Sequence, residues 1–369
     1  MAKEIPGQIN AGIIGAGLMG HTHSMMIRQI ADRTSGSVRV STVADANFKS
    51  AEALAAKWPG AKAVANADEI LADPAIDAVW ICTPTAQHRE VCIGAARAGK
   101  HVFCEKPLAM SAADAAEMGK ELKAAGVVSQ VGLVLRYSPI YTVIQTMAEE
   151  AQAGAILAVT MRDDQDFPIR GVHDSRWRND PAQTAGGTLI EHGVHDFDLF
   201  TWMFGPVERI YCKMRNVAGA AGVEDLGMVT FEFKRGFAGQ MTSIWHKMIG
   251  RPSNRRLEVF CENAFIASDY DVFGSIIVQR GDAEREETIQ PYEVLNRFNG
   301  ITTAKWPHLR DRSDLFAIPY ALEDATFLSA IRGECDPYPD FDSGVAAQCL
   351  VEAAYDSART GLPVDLRGR

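Results

Sequence analysis

Lys106 stands in the stretch Val102-Phe103-Cys104-Glu105-Lys106-Pro107, an apolar run that stops at a charged pair and a proline. Proline cannot donate to a sheet ladder, so the run reads as a buried strand ending there. Lys106 then sits at the carboxyl end of a strand, where open α/β sheets hold their ligands. A lysine partly desolvated at such a place has a lowered pKa and can act as acid or base. The plainer alternative is a surface ion pair closing a loop. A second dense patch is Gly186-Gly187-Thr188-Leu189-Ile190-Glu191-His192-Gly193-Val194-His195-Asp196-Phe197-Asp198. Its apolar positions make it the opening of a helix, with Glu191 and His195 at i and i+4 on one face. A carboxylate beside an imidazole can orient a substrate hydroxyl and move its proton. The alternative is a satisfied structural pair, the better reading for Glu191, Asp196 or Asp198 taken singly. Glu191, His192, His195 and Asp196 are also metal-donor types. Glu-His-x-x-His is not the zinc-protease order, however, and no metal is expected.

A third motif, Gly15-Ala16-Gly17-Leu18-Met19-Gly20, follows the apolar run 9–14 and opens a helical pattern. Gly15, Gly17 and Gly20 would permit a tight turn, close approach of a pyrophosphate and helix–strand packing. The helix start at Leu18 and Met19 supplies unpaired N–H groups and a positive dipole end for phosphate. Asp45 ends the next apolar run, 38–44, where a carboxylate would accept both ribose hydroxyls and repel a 2′-phosphate. That favours NAD over NADP. Asp45 could equally cap the helix expected over 48–57.

The elements that must position these residues alternate. Strands are expected over 61–65, 78–82, 102–104 and 127–133. Helices are expected over 68–72, 87–98 and from a Ser111/Asp114 capping box to residue 125. This alternation implies a parallel sheet with helices on both faces. Thr83, Pro84, Glu105 and Lys106 end strands on the side of the glycine loop, and His88 opens the following helix near the same edge. His88 could equally be a solvated helix-start histidine. From 136–139 the pattern changes. A helix over 140–153 precedes alternating runs at 156–162, 207–216, 228–233, 237–245 and 257–261, which suggest a mainly antiparallel sheet with one face available to a partner. Residues 234–236 read as a hairpin turn. The segments 163–185 and 291–315 read as long irregular loops, the first carrying Trp177. Helices over 320–332 and 343–360 end the chain.

Lys+Arg 37 against Asp+Glu 47 gives a net charge of −10, which argues against nucleic acid or an anionic membrane surface as partner. There is no secretory h-region at the N-terminus and no run of membrane-spanning length. The 7 cysteines are scattered, without Cys-x-x-Cys, and a reducing cytoplasm is the expected compartment.

The glycine motif, Asp45, Thr83-Pro84, Glu105-Lys106-Pro107, Arg136-Tyr137-x-Pro139 and Gly186-Gly187 … Gly193-x-His195-Asp196-x-Asp198 together resemble the Gfo/Idh/MocA oxidoreductases, in the family's order and over nearly the whole chain. The resemblance implies a Rossmann domain over 1–134. An α/β domain with a large open, mainly antiparallel sheet would follow over 135–369, for substrate binding and oligomerisation. It implies NAD(H) or NADP(H) and a sugar, cyclitol or related polyol, with a homodimer or homotetramer formed through the open sheet. It makes Lys106 the contact to the reacting hydroxyl and His195 the acid/base. Arg136, Trp177 and His192 join them as substrate-binding candidates. Trp177 would wall the pocket or stack on a pyranose, and could equally be a core residue. Glu191 departs from one common form of the family, which has Asp there. The family also includes NAD-recycling glycosidases and a few non-catalytic regulators.

Overall fold

The computed structural model describes residues 7–169, 175–217, 221–248, 250–281, 283–306 and 319–367. The chain divides into two units, Met1–Leu133 with His308–Val345, and Val134–Pro307 with Ala346–Arg369. The first unit therefore takes in a late segment beyond the expected residues 1–134.

In the first unit six strands, β1 (Ile9–Ile14), β2 (Val38–Ala44), β3 (Lys62–Val64), β4 (Ala78–Ile81), β5 (His101–Cys104) and β6 (Ser129–Val131), form a sheet in the order β3-β2-β1-β4-β5-β6. All neighbours are parallel. This is the doubly wound Rossmann order, whose direction of winding reverses between β1 and β4. The strands are short and apolar because both faces are covered. Val79, Ile81, Val102 and Cys104 are buried with Leu108, Met118, Leu122 and Phe341. The helix Pro319–Ile331 belongs to this unit, and Phe327 packs edge-on to Trp80 and Phe103.

The second unit holds a nine-stranded, mainly antiparallel sheet. Its strands are β7 (Ile156–Asp166), β8 (Val207–Arg215), β9 (Leu226–Phe233), β10 (Ala238–His246), β11 (Asn254–Cys261), β12 (Ala264–Ser268), β13 (Ile276–Arg280), β14 (Glu287–Ile289) and β15 (Val364–Asp365). The order is β14-β13-β12-β11-β7-β10-β9-β8-β15, with β7 and β10 the parallel pair. Burial alternates along β9, β10 and β11, so one face is covered and the other is not. Phe197, Phe200 and Phe204 of the helix Val194–Phe204 pack on Phe231, Phe233 and Phe237. The hairpin at 234–236 forms, closed by Gly236 N–H to the Phe233 carbonyl.

Several expectations are corrected. Residues 291–305 are a helix, Pro291–Lys305, rather than a loop; 307–318 lie outside the described residues. Asp163–Asp166 complete β7 instead of opening a loop, because β10 and β11 pair with them. The helix expected over 140–153 ends at Ala148, and Ala151–Ala153 form a separate 3₁₀ turn. The strand expected over 127–133 is confined to Ser129–Val131, and Val134–Tyr137 wind as a 3₁₀ turn. No helix among the described residues is long and apolar enough to cross a membrane.

Candidate functional site

The glycine turn is built as its spacing predicts. Gly15 has φ +100°, and a Cβ there would lie 2.6 Å from the Cys82 carbonyl. A Cβ at Gly20 would lie 2.0 Å from the Gly15 oxygen, so the helix Leu18–Arg33 approaches the end of β1 too closely for any side chain. At Gly17, the N-cap, a Cβ would meet nothing within 4 Å. The first-turn N–H groups at Leu18, Met19 and Gly20 have no acceptor within the helix, and the positive end of its dipole lies with them. Asp45 spans this turn. Its carboxylate accepts from Ala16 N–H at 2.7 Å and from Asn47 N–H at 2.7 Å. The N-cap of the helix Phe48–Ala55 is Asn47, so Asp45 is not the cap.

Beside it, Thr83 and Pro84 follow the end of β4, and the Thr83 hydroxyl is buried with no protein hydrogen-bond partner. His88 is buried rather than solvated. Its Nδ1 lies 2.8 Å from the Pro107 carbonyl and its Nε2 2.9 Å from the Thr83 carbonyl, tying the loops after β4 and β5 together. Lys106 is half-buried, and its backbone N–H donates to the Glu105 carboxylate at 3.1 Å. Glu105 faces the interior of the unit, where His23 Nε2 lies 3.0 Å away. His23 Nδ1 is 2.9 Å from Asp324, which also accepts from the Trp80 indole at 2.9 Å. Burial alone would lower the His23 pKa, but Asp324 and Glu105 outweigh it and raise it well above 6.5. Burial works to raise Glu105, and His23 and Lys106 outweigh it to hold that carboxyl below its usual range. Sequence reasoning missed His23 and Asp324, because their meeting depends on a helix 301 residues away.

The second patch differs from its expected form. Thr188–Glu191 make one helical turn, His192 and Gly193 break it, and Val194–Phe204 begin a second helix. Glu191 and His195 therefore do not share one helix face. The cause lies at both ends of the turn. Gly187 N–H and Leu189 N–H donate to the buried Glu224 carboxylate at 2.7 and 3.0 Å, and Tyr355 donates to it at 2.9 Å. A Cβ at Gly193 would press within 2.9 Å of the Leu189 carbonyl. Glu191 is buried, accepting from Thr184 at 2.8 Å and Arg178 at 3.3 Å. Arg178 lies 4.3 Å from the Trp177 ring centroid, and Trp177 is half-buried on a 3₁₀ turn, not in the core. Arg136 grips Asp198 with Nη2 at 2.6 Å and Nε at 2.9 Å. His192 Nδ1 lies 3.0 Å from Asp163, and His195 is buried beside Asp196. Lys106 belongs to the first unit; Arg136, Trp177, Glu191, His192 and His195 belong to the second.

Residues 9–133 match the oxidoreductase family with an NAD-binding Rossmann fold, and residues 141–267 match the GFO/IDH/MocA C-terminal domain. The chain belongs to the Gfo/Idh/MocA oxidoreductases. A 1,5-anhydro-D-fructose reductase of Ensifer adhaerens is 32% identical over 307 residues, 83% of this chain and 84% of that protein. A myo-inositol 2-dehydrogenase of Thermotoga maritima is 29% identical over 265 residues, 70% of this chain and 74% of that protein. The solved structure of a levoglucosan dehydrogenase with NADH and levoglucosan superposes with a TM-score of 0.82 at 23% identity, over 97% of this chain and 99% of that one. Membership makes the chain an NAD-binding oxidoreductase, and the open space at Gly17, the first-turn amides and the unpartnered Thr83 hydroxyl suit that dinucleotide.

Proposed function

We propose that this Gfo/Idh/MocA member interconverts a secondary alcohol and a ketone on a sugar, cyclitol or anhydrosugar. The observation that carries this reading is Lys106, half-buried at a strand end and fixed on both sides, by Glu105 at its own N–H and by His88 at the Pro107 carbonyl. Relatives named for inositol and anhydrofructose support the substrate class. NAD, when bound, takes up or returns the hydride. Lys106 polarises the reacting oxygen, a contribution that is greatest where water is excluded. His195 takes the hydroxyl proton on oxidation and returns it on reduction. Arg136, Trp177 and His192 line the substrate side. Glu191 holds Arg178 and Thr184 rather than orienting His195. Gly15, Gly17, Leu18, Met19 and Gly20 seat the pyrophosphate, with Asp45 on the ribose and Thr83, Pro84, His88 and Glu105 shaping the nicotinamide side. The protein works without a metal, as a homodimer or homotetramer, in a reducing cytoplasm consistent with its free cysteines.

The test is a screen of sugars, inositols and anhydrosugars with purified protein, following NADH absorbance. Turnover on at least one of these is expected. No NADH change with any of them, despite tight NADH binding, would overturn the dehydrogenase reading in favour of a regulator. Release of a sugar leaving group without net NADH would favour a glycosidase.

A further inference from the structure

A buried acid cluster backs the second patch and takes no part in the proposed reaction. Asp163 on β7 pairs in register with Arg255 on β11, and both side chains are buried. The Arg255 guanidinium faces three carboxylates: Asp196 at 2.7 Å, Asp271 at 2.9 Å and Asp163 at 3.4 Å. Tyr141 donates to Asp271 at 3.3 Å, and the adjacent Asp164 is engaged by Arg251. His192 Nδ1 lies 3.0 Å from Asp163 Oδ2. Two carboxyl oxygens here have no donor, Asp163 Oδ1 and Asp196 Oδ2. Both carboxyl groups meet the one Arg255 guanidinium. An ionised carboxylate only accepts, so a proton on one of them supplies the donor that these two oxygens lack. Charge balance gives the same answer. Asp163 and Asp196 are fully buried, and ionising both beside the partly exposed Asp271 would set three negative charges against one guanidinium.

We infer that Asp163 and Asp196 share one proton, and that this pair is a positioning device for His192, fixing its ring and setting its charge. Only the consequence for substrate rests on the proposed dehydrogenase reading; the pairing stands on the cluster alone. Burial raises the Asp163 pKa, with Arg255 opposing, to about 6, and burial raises Asp196 well above its usual range. Above about 6 the one proton stays on Asp196, and the ionised Asp163 holds His192 as an ion pair. At lower pH Asp163 takes up a second proton and attracts His192 weakly.

The test follows the His192 ring by NMR titration of the full-length protein with NADH, beside kcat and KM across pH. Asp163→Asn removes the carboxylate facing His192 and should lower the His192 pKa by about one unit. Asp196→Asn lets an amide N–H replace the shared proton, leaves Asp163 ionised, and should raise it. A merely structural role would not move the two variants in opposite directions. Asp163→Asn should lower kcat by up to about 10²-fold through misplacement of His192, with NADH affinity unchanged. In the unsubstituted protein the Asp163 carboxyl ¹³C signal should titrate near 6. A carboxyl titrating near 4, or a His192 titration identical in all three proteins, would overturn the inference even if turnover is found. Absence of turnover would count against the dehydrogenase reading and leave the titrations to decide the pair.

Discussion

Lys106 is the residue on which the proposed chemistry turns, and its replacement tests that chemistry directly. Lys106→Met should lower kcat by about 10²–10³-fold, the scale of losing one preorganised charge donor. His195→Asn should cost about 10²–10⁴-fold, less at high pH where hydroxide substitutes. NADH affinity, read by fluorescence, should change little in either. Turnover near normal in both folded variants would remove these residues from the catalytic role. Asp45→Ser should narrow the preference for NADH over NADPH; equal or tighter NADPH binding by the unsubstituted protein would end the ribose assignment. Asp163 gives a stability test with a definite sign. Its folded pKa of about 6 exceeds the ordinary 3.8. The stabilisation is therefore full below pH 3.8, is lost as pH rises through about 6, and is absent above that. The urea midpoint of the unsubstituted protein should fall relative to Asp163→Asn between those limits and run parallel above them. At this scale the motifs were legible where chemistry is local, as at Gly15, Gly17 and Gly20. His23 was not, since its meaning depends on Glu105 and Asp324, which the chain brings to it from afar.

Elements were legible where hydrophobic period and punctuation agree. The strands Ile9–Ile14 and Val38–Ala44 and the helix after Ser111 fall where expected, the last capped by the Ser111 hydroxyl. Weak period hid others. The helix Pro291–Lys305 mixes polar and apolar residues, and its one clear signal was proline at the first helical position. Strands β12 to β14 are short and were passed over. The break between Glu191 and Val194 was invisible because the Thr188–Glu191 turn is fixed by Glu224, on a distant loop. Glu224→Gln should expose that dependence. An amide offers one acceptor where two oxygens now serve two backbone donors, leaving one N–H opposed by an NH₂ group. A stability loss of about 1–3 kcal/mol is expected from the unsatisfied group. The measured change should appear in urea unfolding together with a fall in kcat. Unchanged stability would show that the turn forms without its remote cap.

For the whole molecule, the register of β10 decides which side chains the second sheet can offer to a partner. The bulky Met241 and Trp245 are buried, as is Phe237 just before the strand, because odd-numbered positions of β10 point to the covered side. The open face presents Gln240, Thr242 and Ile244, with exposed Met228 opposite Thr242 on β9 and exposed Phe260 on β11, beyond β7. Assembly through this face predicts that sedimentation finds a dimer or tetramer at micromolar concentration, and that Met228→Lys with Phe260→Lys shifts it toward monomer. A monomer in the unsubstituted protein would contradict the proposal. The late segment of the first unit has a different consequence. His23 is fully buried, with one ring nitrogen facing Glu105 and the other facing Asp324 of the helix Pro319–Ile331. An imidazolium sealed from solvent should give two slowly exchanging, strongly downfield N–H resonances at neutral pH. Those two signals form an internal spectroscopic gauge: they should vanish together when the Pro319–Ile331 helix leaves the first unit, before the parallel sheet itself unfolds.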